Sequence, residues 1–202
     1  MEKNIQRRIL HILGCAFIAY YFFPETTVYS ISKSYILLIV LLIIFVIELK
    51  RMQSNRSHIL DSLIREYENN RPASYTYFAF GSILLLLIFP QYITIPCILS
   101  AAFCDPITGI LKQKNKKLFG IFIGFIISFI IFSIVWSSTS LWIMYIASLS
   151  GASSLIYAEH ISSFYIDDDF LMQVLPALFL SLFTFVLIFF SLPVPNKIIY
   201  PF

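Results

Sequence analysis

Three groups of residues in this chain have the types and spacing that phosphate chemistry uses. The first runs Asp105-Pro106-Ile107-Thr108-Gly109, then Lys112, Lys114, Lys116 and Lys117, then Gly120. A carboxylate can hold Mg²⁺, open backbone can offer N–H groups, and lysines can neutralise a transferring phosphoryl group. On this reading Asp105 ends an apolar helix and the Pro and Gly break the backbone after it. Lysines at a helix end also set membrane topology and attract anionic lipid, so they do not decide the matter alone. Asp105 says more, because it directly follows Ala101-Ala102-Phe103-Cys104, where an unpaired carboxylate is costly.

The second group is Glu159 with His160, followed by Asp167-Asp168-Asp169. Consecutive acids repel unless water or a cation offsets them, which makes a divalent ion a natural partner. A solvated acidic loop is the plainer alternative. The third group is Arg7-Arg8 with His11, and Arg65-Glu66 with Glu68. Arg8 and His11 lie one turn apart and share a helix face. His11 is suited to acid–base work or a phosphate contact, although a lone interfacial histidine is often structural.

The elements that position these groups follow from composition. The 202 residues are 59% hydrophobic and only 12% charged, more apolar surface than a water-soluble domain of this size buries. Apolar stretches cover roughly 9–23, 28–47, 74–90, 92–104, 118–136, 141–158 and 170–192. The second, third, fifth, sixth and seventh suffice to span a bilayer, and the first and fourth are short. The expected fold is an all-α polytopic bundle of about seven transmembrane helices, a single integral membrane domain over 1–202. With seven spans, 12 of the 14 Lys and Arg share one side, leaving only Lys33 and Lys197 opposite. Of the 11 acids only Glu25 lies opposite. The crowded side is therefore read as cytoplasmic, with the N-terminus on it.

Lys3, Arg7 and Arg8 before an apolar run suggest a secretory leader, but no small-residue cleavage site follows, so a retained first helix is expected. Leu60, Leu63, Ile64 and Tyr67 recur at helical spacing among charges, which predicts a cytoplasmic amphipathic segment at about 49–72. Cys15, Cys97 and Cys104 have neither pair nor metal spacing and read as packing residues. Gly120 and Gly124 within an apolar helix read as a close helix contact.

Taken in order, these groups resemble the dolichol kinase and phytol kinase family of membrane-embedded, CTP-dependent polyprenol kinases, and more distantly the phosphatidate cytidylyltransferases. Arg7-Arg8-Ile9-Leu10-His11 looks like the family's basic-pair-plus-His opening. Arg65-Glu66-Tyr67-Glu68, then Tyr75 to Gly81 and Phe89-Pro90, looks like its third helix with the approach to it. Asp105 to Gly109, Lys116-Lys117-Leu118-Phe119-Gly120 and Glu159 with Asp167-Asp168-Asp169 resemble its later motifs. Cys104 stands where the family has Gly, the Glu before Gly120 is missing, and Asp169 replaces the usual Asn.

The resemblance implies Mg²⁺ on Asp105, Asp167 and Asp168, with CTP or ATP as phosphoryl donor. Asp105, Glu159, Asp167 and Asp168 would be catalytic. Lys112, Lys114, Lys116, Lys117, Gly109, Gly120, Arg8 and His11 would hold the nucleotide. The implied partners are membrane lipid, an isoprenoid alcohol and the nucleoside triphosphate, with no nucleic acid. A cytidylyltransferase and a non-catalytic lipid-binding or transport protein of the same fold are the alternatives.

Overall fold

The structure, a computed structural model, describes residues 2–25, 32–53, 68, 71–161 and 167–201, with side chains from residue 6 onward. Most of the predicted amphipathic segment, including Arg65 and Glu66, lies outside these residues. Among the described residues every regular element is helical: α1 (Glu2–Leu13), a 3₁₀ segment (Gly14–Phe22), α2 (Lys33–Gln53), α3 (Ser74–Ile88), α4 (Gln91–Gln113), α5 (Lys117–Trp136), α6 (Leu141–His160) and α7 (Asp168–Phe189).

Four of these helices, α4 to α7, are long and apolar enough to cross a membrane. α3 has 15 residues and falls short of the roughly 20 that a hydrocarbon core requires. α2 has 21 residues but carries Lys33 at one end and Glu48, Lys50 and Arg51 at the other. Outer faces are apolar throughout, with Leu42, Leu182, Phe185 and Phe189 all largely exposed. Water does not tolerate such a continuous apolar surface, whereas lipid does.

α4 is the central helix, packing against α1, the 3₁₀ segment, α5 and α7. It corrects two expectations. The fourth apolar stretch is not short, because α4 runs unbroken for 23 residues from Gln91 to Gln113. The backbone also does not break at Asp105-Pro106-Ile107-Thr108-Gly109, since Pro106 lies inside the helix. Neighbouring helices and local side chains can absorb a proline's lost hydrogen bond in an apolar bundle. Thr108 Oγ1 separately donates to Asp105 O at 3.1 Å within the same turn.

Close helix approach explains the small residues. A Cβ on Gly124 would meet Thr108 Cγ2 at 2.9 Å, and one on Gly120 would meet Leu111 Cβ at 3.2 Å. Cys104 turns toward α5, its Sγ 3.3 Å from Gly124 O and 3.1 Å from Ser128 Oγ. All three cysteines are free, in keeping with the packing role expected of them. The α4–α5 connection is a tight turn in which Asn115 takes φ 57°, a left-handed conformation that Asn tolerates well.

The first apolar stretch departs from its expected single helix. It divides at Gly14, where α1 gives way to the 3₁₀ segment. Gly14 allows Phe78 of α3 to pack directly against the chain, and a Cβ there would collide with the Phe78 ring.

Candidate site at the α1–α4–α7 junction

The polar groups converge where three helices meet at one end of the bundle. His11 occupies the last turn of α1, Asp105 the C-terminal half of α4, and Asp169 the first turn of α7. His11 Nε2 lies 3.7 Å from Asp105 Oδ2 and 3.6 Å from Asp169 Oδ2. His11 and Asp169 are 4% and 2% exposed, so their electrostatics operate largely out of water. Arg7, one turn before His11, approaches Asp105 Oδ2 at 4.0 Å. Arg8 donates to Gln113 Oε1 at 2.9 Å, tying α1 to the end of α4.

Asp169 owes its position to its neighbours. Asp167 caps α7, its Oδ1 accepting the Asp169 N–H at 3.2 Å, and its Oδ2 pairs with Arg71 at 3.3 Å. One turn into α7, buried Gln173 accepts from Ser82 Oγ at 2.9 Å and donates to Phe78 O at 3.0 Å and Asp169 O at 3.2 Å. Gln173 thereby fixes the height of α7 against α3. Asp168 shares the first turn and is half-buried.

Two carboxylates beside one imidazole form a set that attracts a cation. His11, Asp105 and Asp169 each offer a ligand atom within 4.8 Å of the others, and Asp167, Asp168 and Asp169 form a second such group. Asp169 belongs to both. Carboxylates suit Mg²⁺, which also keeps waters and takes phosphate oxygens, while an imidazole nitrogen additionally suits Mn²⁺. The donor set fits the implied metal, with Asp169 rather than Asp167 facing Asp105 across the junction.

Two cavities adjoin His11. A polar one of about 70 Å³ is lined by Arg7, Arg8, His11, Asp105, Gly109 and Gln113. An apolar one of about 210 Å³ lies on the other side, between α1, α2 and α3. Arg7 and His11 line both.

The remaining sequence candidates fall elsewhere. Glu159, at the end of α6, is buried and pairs with Lys112 Nζ at 2.6 Å. Lys114, Lys116 and Lys117 are exposed around the α4–α5 turn, and none lines the polar cavity. Gly120 is a helix-packing residue, whereas Gly109 faces open space and lines the cavity. Sequence reasoning missed Arg71 and Gln173. Gln173 left a detectable signal: it is an amide four residues after Asp169 inside an otherwise apolar run. No protein-family model, curated protein or solved structure matches this chain.

A second buried polar cluster braces the same end. Glu48 and Arg51 pair at 2.7 Å, Glu48 also accepts from Ala73 N at 2.7 Å and from Tyr75 Oη, and Arg51 donates to Arg71 O at 2.7 Å. The cluster thus ties α2 to the segment before α3 and to the first turn of α3.

Proposed function

We propose that this chain is a membrane-embedded lipid kinase that transfers a phosphoryl group from a nucleoside triphosphate, CTP foremost, to an isoprenoid alcohol of the polyprenol, dolichol or phytol type. The observation that carries this reading is the meeting of Asp105, Asp169 and His11 beside Arg7 and Arg8. Acids, imidazole and guanidinium groups from separate helices are the parts that positioning and charge stabilisation require in phosphoryl transfer.

The charge distribution supports seven crossings, with α1 and the 3₁₀ segment forming the first and the N-terminus cytoplasmic. The junction then lies at the cytoplasmic face of a multi-pass protein, where soluble nucleotide and membrane alcohol both have access. Mg²⁺ bound by Asp105 and Asp169 would supply charge neutralisation of the phosphate oxygens. Arg7 and Arg8 offset further phosphate charge. The alcohol oxygen bonds to the γ-phosphorus, the bond to the bridging oxygen breaks, and the nucleoside diphosphate leaves. The hydroxyl proton is taken up by the carboxylate–imidazole cluster.

The lysines at 112–117 take a lesser part in this account than the sequence suggested. Lys112 is committed to Glu159, and the other three surround the turn as a basic surface. That commitment favours a second reading, a lipid-binding protein of the same architecture without catalysis. Replacing Asp105 with Asn separates the two. Loss of phosphoryl transfer in a folded variant supports the kinase, and retained wild-type transfer removes Asp105 from the chemistry.

A further inference from the structure

The charge count that crowds one side of the chain leaves one acid and two bases opposite: Glu25, Lys33 and Lys197. They come from separate segments, namely the stretch after the 3₁₀ segment, the start of α2 and the tail that follows α7. All three nevertheless line one cavity of about 410 Å³, where α3 ends at Leu86 and Phe89 and α4 begins at Gln91. With a rise of about 1.5 Å per residue, Gln91 and Asp105 of α4 are about 21 Å apart along the helix. The cavity is therefore separate from the junction of α1, α4 and α7.

Lys33 is the buried member, 6% exposed. Its Nζ lies 3.2 Å from Glu25 Oε1, 3.3 Å from Phe23 O and 4.7 Å from the centre of the Tyr20 ring. Tyr20 and Glu25 border the cavity themselves, so the ammonium they contact sits at its wall. A buried ammonium needs a counter-charge, and Glu25 supplies a weak one because its side chain is 73% exposed. Lys197 stands exposed on the same cavity and enters no ion pair among the described residues. Gln91 fixes the tail that carries it. Gln91 Nε2 donates to Ile199 O at 3.0 Å, and Oε1 accepts from Ile198 N at 3.1 Å and Ile199 N at 3.0 Å. One side chain thereby keeps Lys197 beside the cavity.

We infer that this cavity binds the phosphate of an anionic phospholipid between Lys33 and Lys197, with the exposed Glu25 carboxylate giving way to it. Two lysines against one acid leave the cavity with an excess positive charge. Lysine meets phosphate as a point charge, and the several phosphate oxygens serve two ammonium groups arriving from different segments. Leu86, Phe89 and Pro195 add apolar surface for the glycerol and upper chains of a lipid, which a free phosphate would not use. Tyr20 and Tyr92 complete a lining of the kind found at membrane–water boundaries. The assignment does not rest on the kinase reading, since it concerns the other end of the bundle and requires no nucleotide.

The test uses the full chain in phosphatidylcholine nanodiscs doped with a phosphatidylglycerol that carries a photoreactive group on its head. Cross-linked peptides are mapped by mass spectrometry. Labelling is expected on 86–92 and 195–199, reduced by untagged phosphatidylglycerol and little by further phosphatidylcholine. Lys197→Gln should lower it about fivefold, the effect of one lysine on an anionic lipid. Gln91→Ala, which releases the tail, should act in the same direction. Glu25→Gln should raise it about twofold, because the competing carboxylate is gone. Labelling at 112–117, where exposed lysines attract anionic lipid at the other end, is the internal reference and should stay constant. Unchanged labelling of 86–92 and 195–199 in Lys197→Gln would overturn the assignment, as would equal displacement by phosphatidylcholine. Equal displacement by glycerol 3-phosphate in solution would give the site to a soluble phosphate ester and overturn the lipid.

Discussion

His11 Nε2 of the first helix stands 3.6 Å from Asp169 Oδ2 of the last, closing the bundle through a polar contact at one end. Asp105 of the central helix lies at a matching 3.7 Å from the same nitrogen. The chemistry proposed for this chain depends on that three-way meeting. It also separates Asp169 from the two acids before it, which cap α7 or share its first turn.

Asp169→Asn should therefore lower lipid phosphorylation by about 100-fold or more, the scale on which removal of one preorganised electrostatic group acts. Asp168→Asn should cost much less. Steady-state rates of both variants in nanodiscs, over a range of Mg²⁺ concentrations, check the ranking. For Asp169→Asn the apparent Mg²⁺ requirement should also rise.

Arg8→Gln should raise the KM for nucleotide more than simultaneous Gln replacement of Lys114, Lys116 and Lys117. Arg8 lines the polar cavity beside Asp105, and the three lysines do not. Nucleotide titrations at fixed lipid distinguish the two. A larger effect from the lysine triple would return the phosphate site to the α4–α5 turn.

Gln173→Leu removes an amide that joins α7 to Ser82 and Phe78. Leaving the buried Ser82 hydroxyl and Phe78 carbonyl without these bonds should cost about 1–3 kcal/mol. Unfolding in mixed detergent micelles measures it. Because Gln173 sets the position of Asp169 indirectly, kcat should fall with little change in the KM for either substrate.

Glu48→Ala should destabilise the protein by about 3–5 kcal/mol, the usual effect of stripping one partner from a buried ion pair. Arg51 would be left buried beside backbone carbonyls. The double variant Glu48→Gln with Arg51→Met should be less destabilised than the single one, and the same unfolding measurement shows this.

Much of this arrangement was legible in the chain. Helical, membrane-like character followed from the apolar stretches, and His11, Asp105 and the acids at 167–169 stood out because charge is expensive next to such stretches. Two kinds of information were missing. Pro106 and Gly109 read as a break, since proline removes a hydrogen bond, but a helix enclosed by α1, α5 and α7 continues through them. The three consecutive aspartates gave no sign of which one faces Asp105, because that depends on where α7 begins and which carboxylate its cap consumes. Lys112 and Glu159 stood out separately in the chain and are each other's partner, a pairing between α4 and α6 that spacing does not show.

The central claim is tested most directly with purified protein in nanodiscs, Mg²⁺, and γ-labelled CTP or ATP. A mixture of polyprenols, phytol and diacylglycerol serves as acceptor. The account predicts label in an isoprenoid alcohol, lost in Asp105→Asn while that variant remains folded and inserted. Absence of transfer from either nucleotide, with folded protein and an active control enzyme, would contradict it.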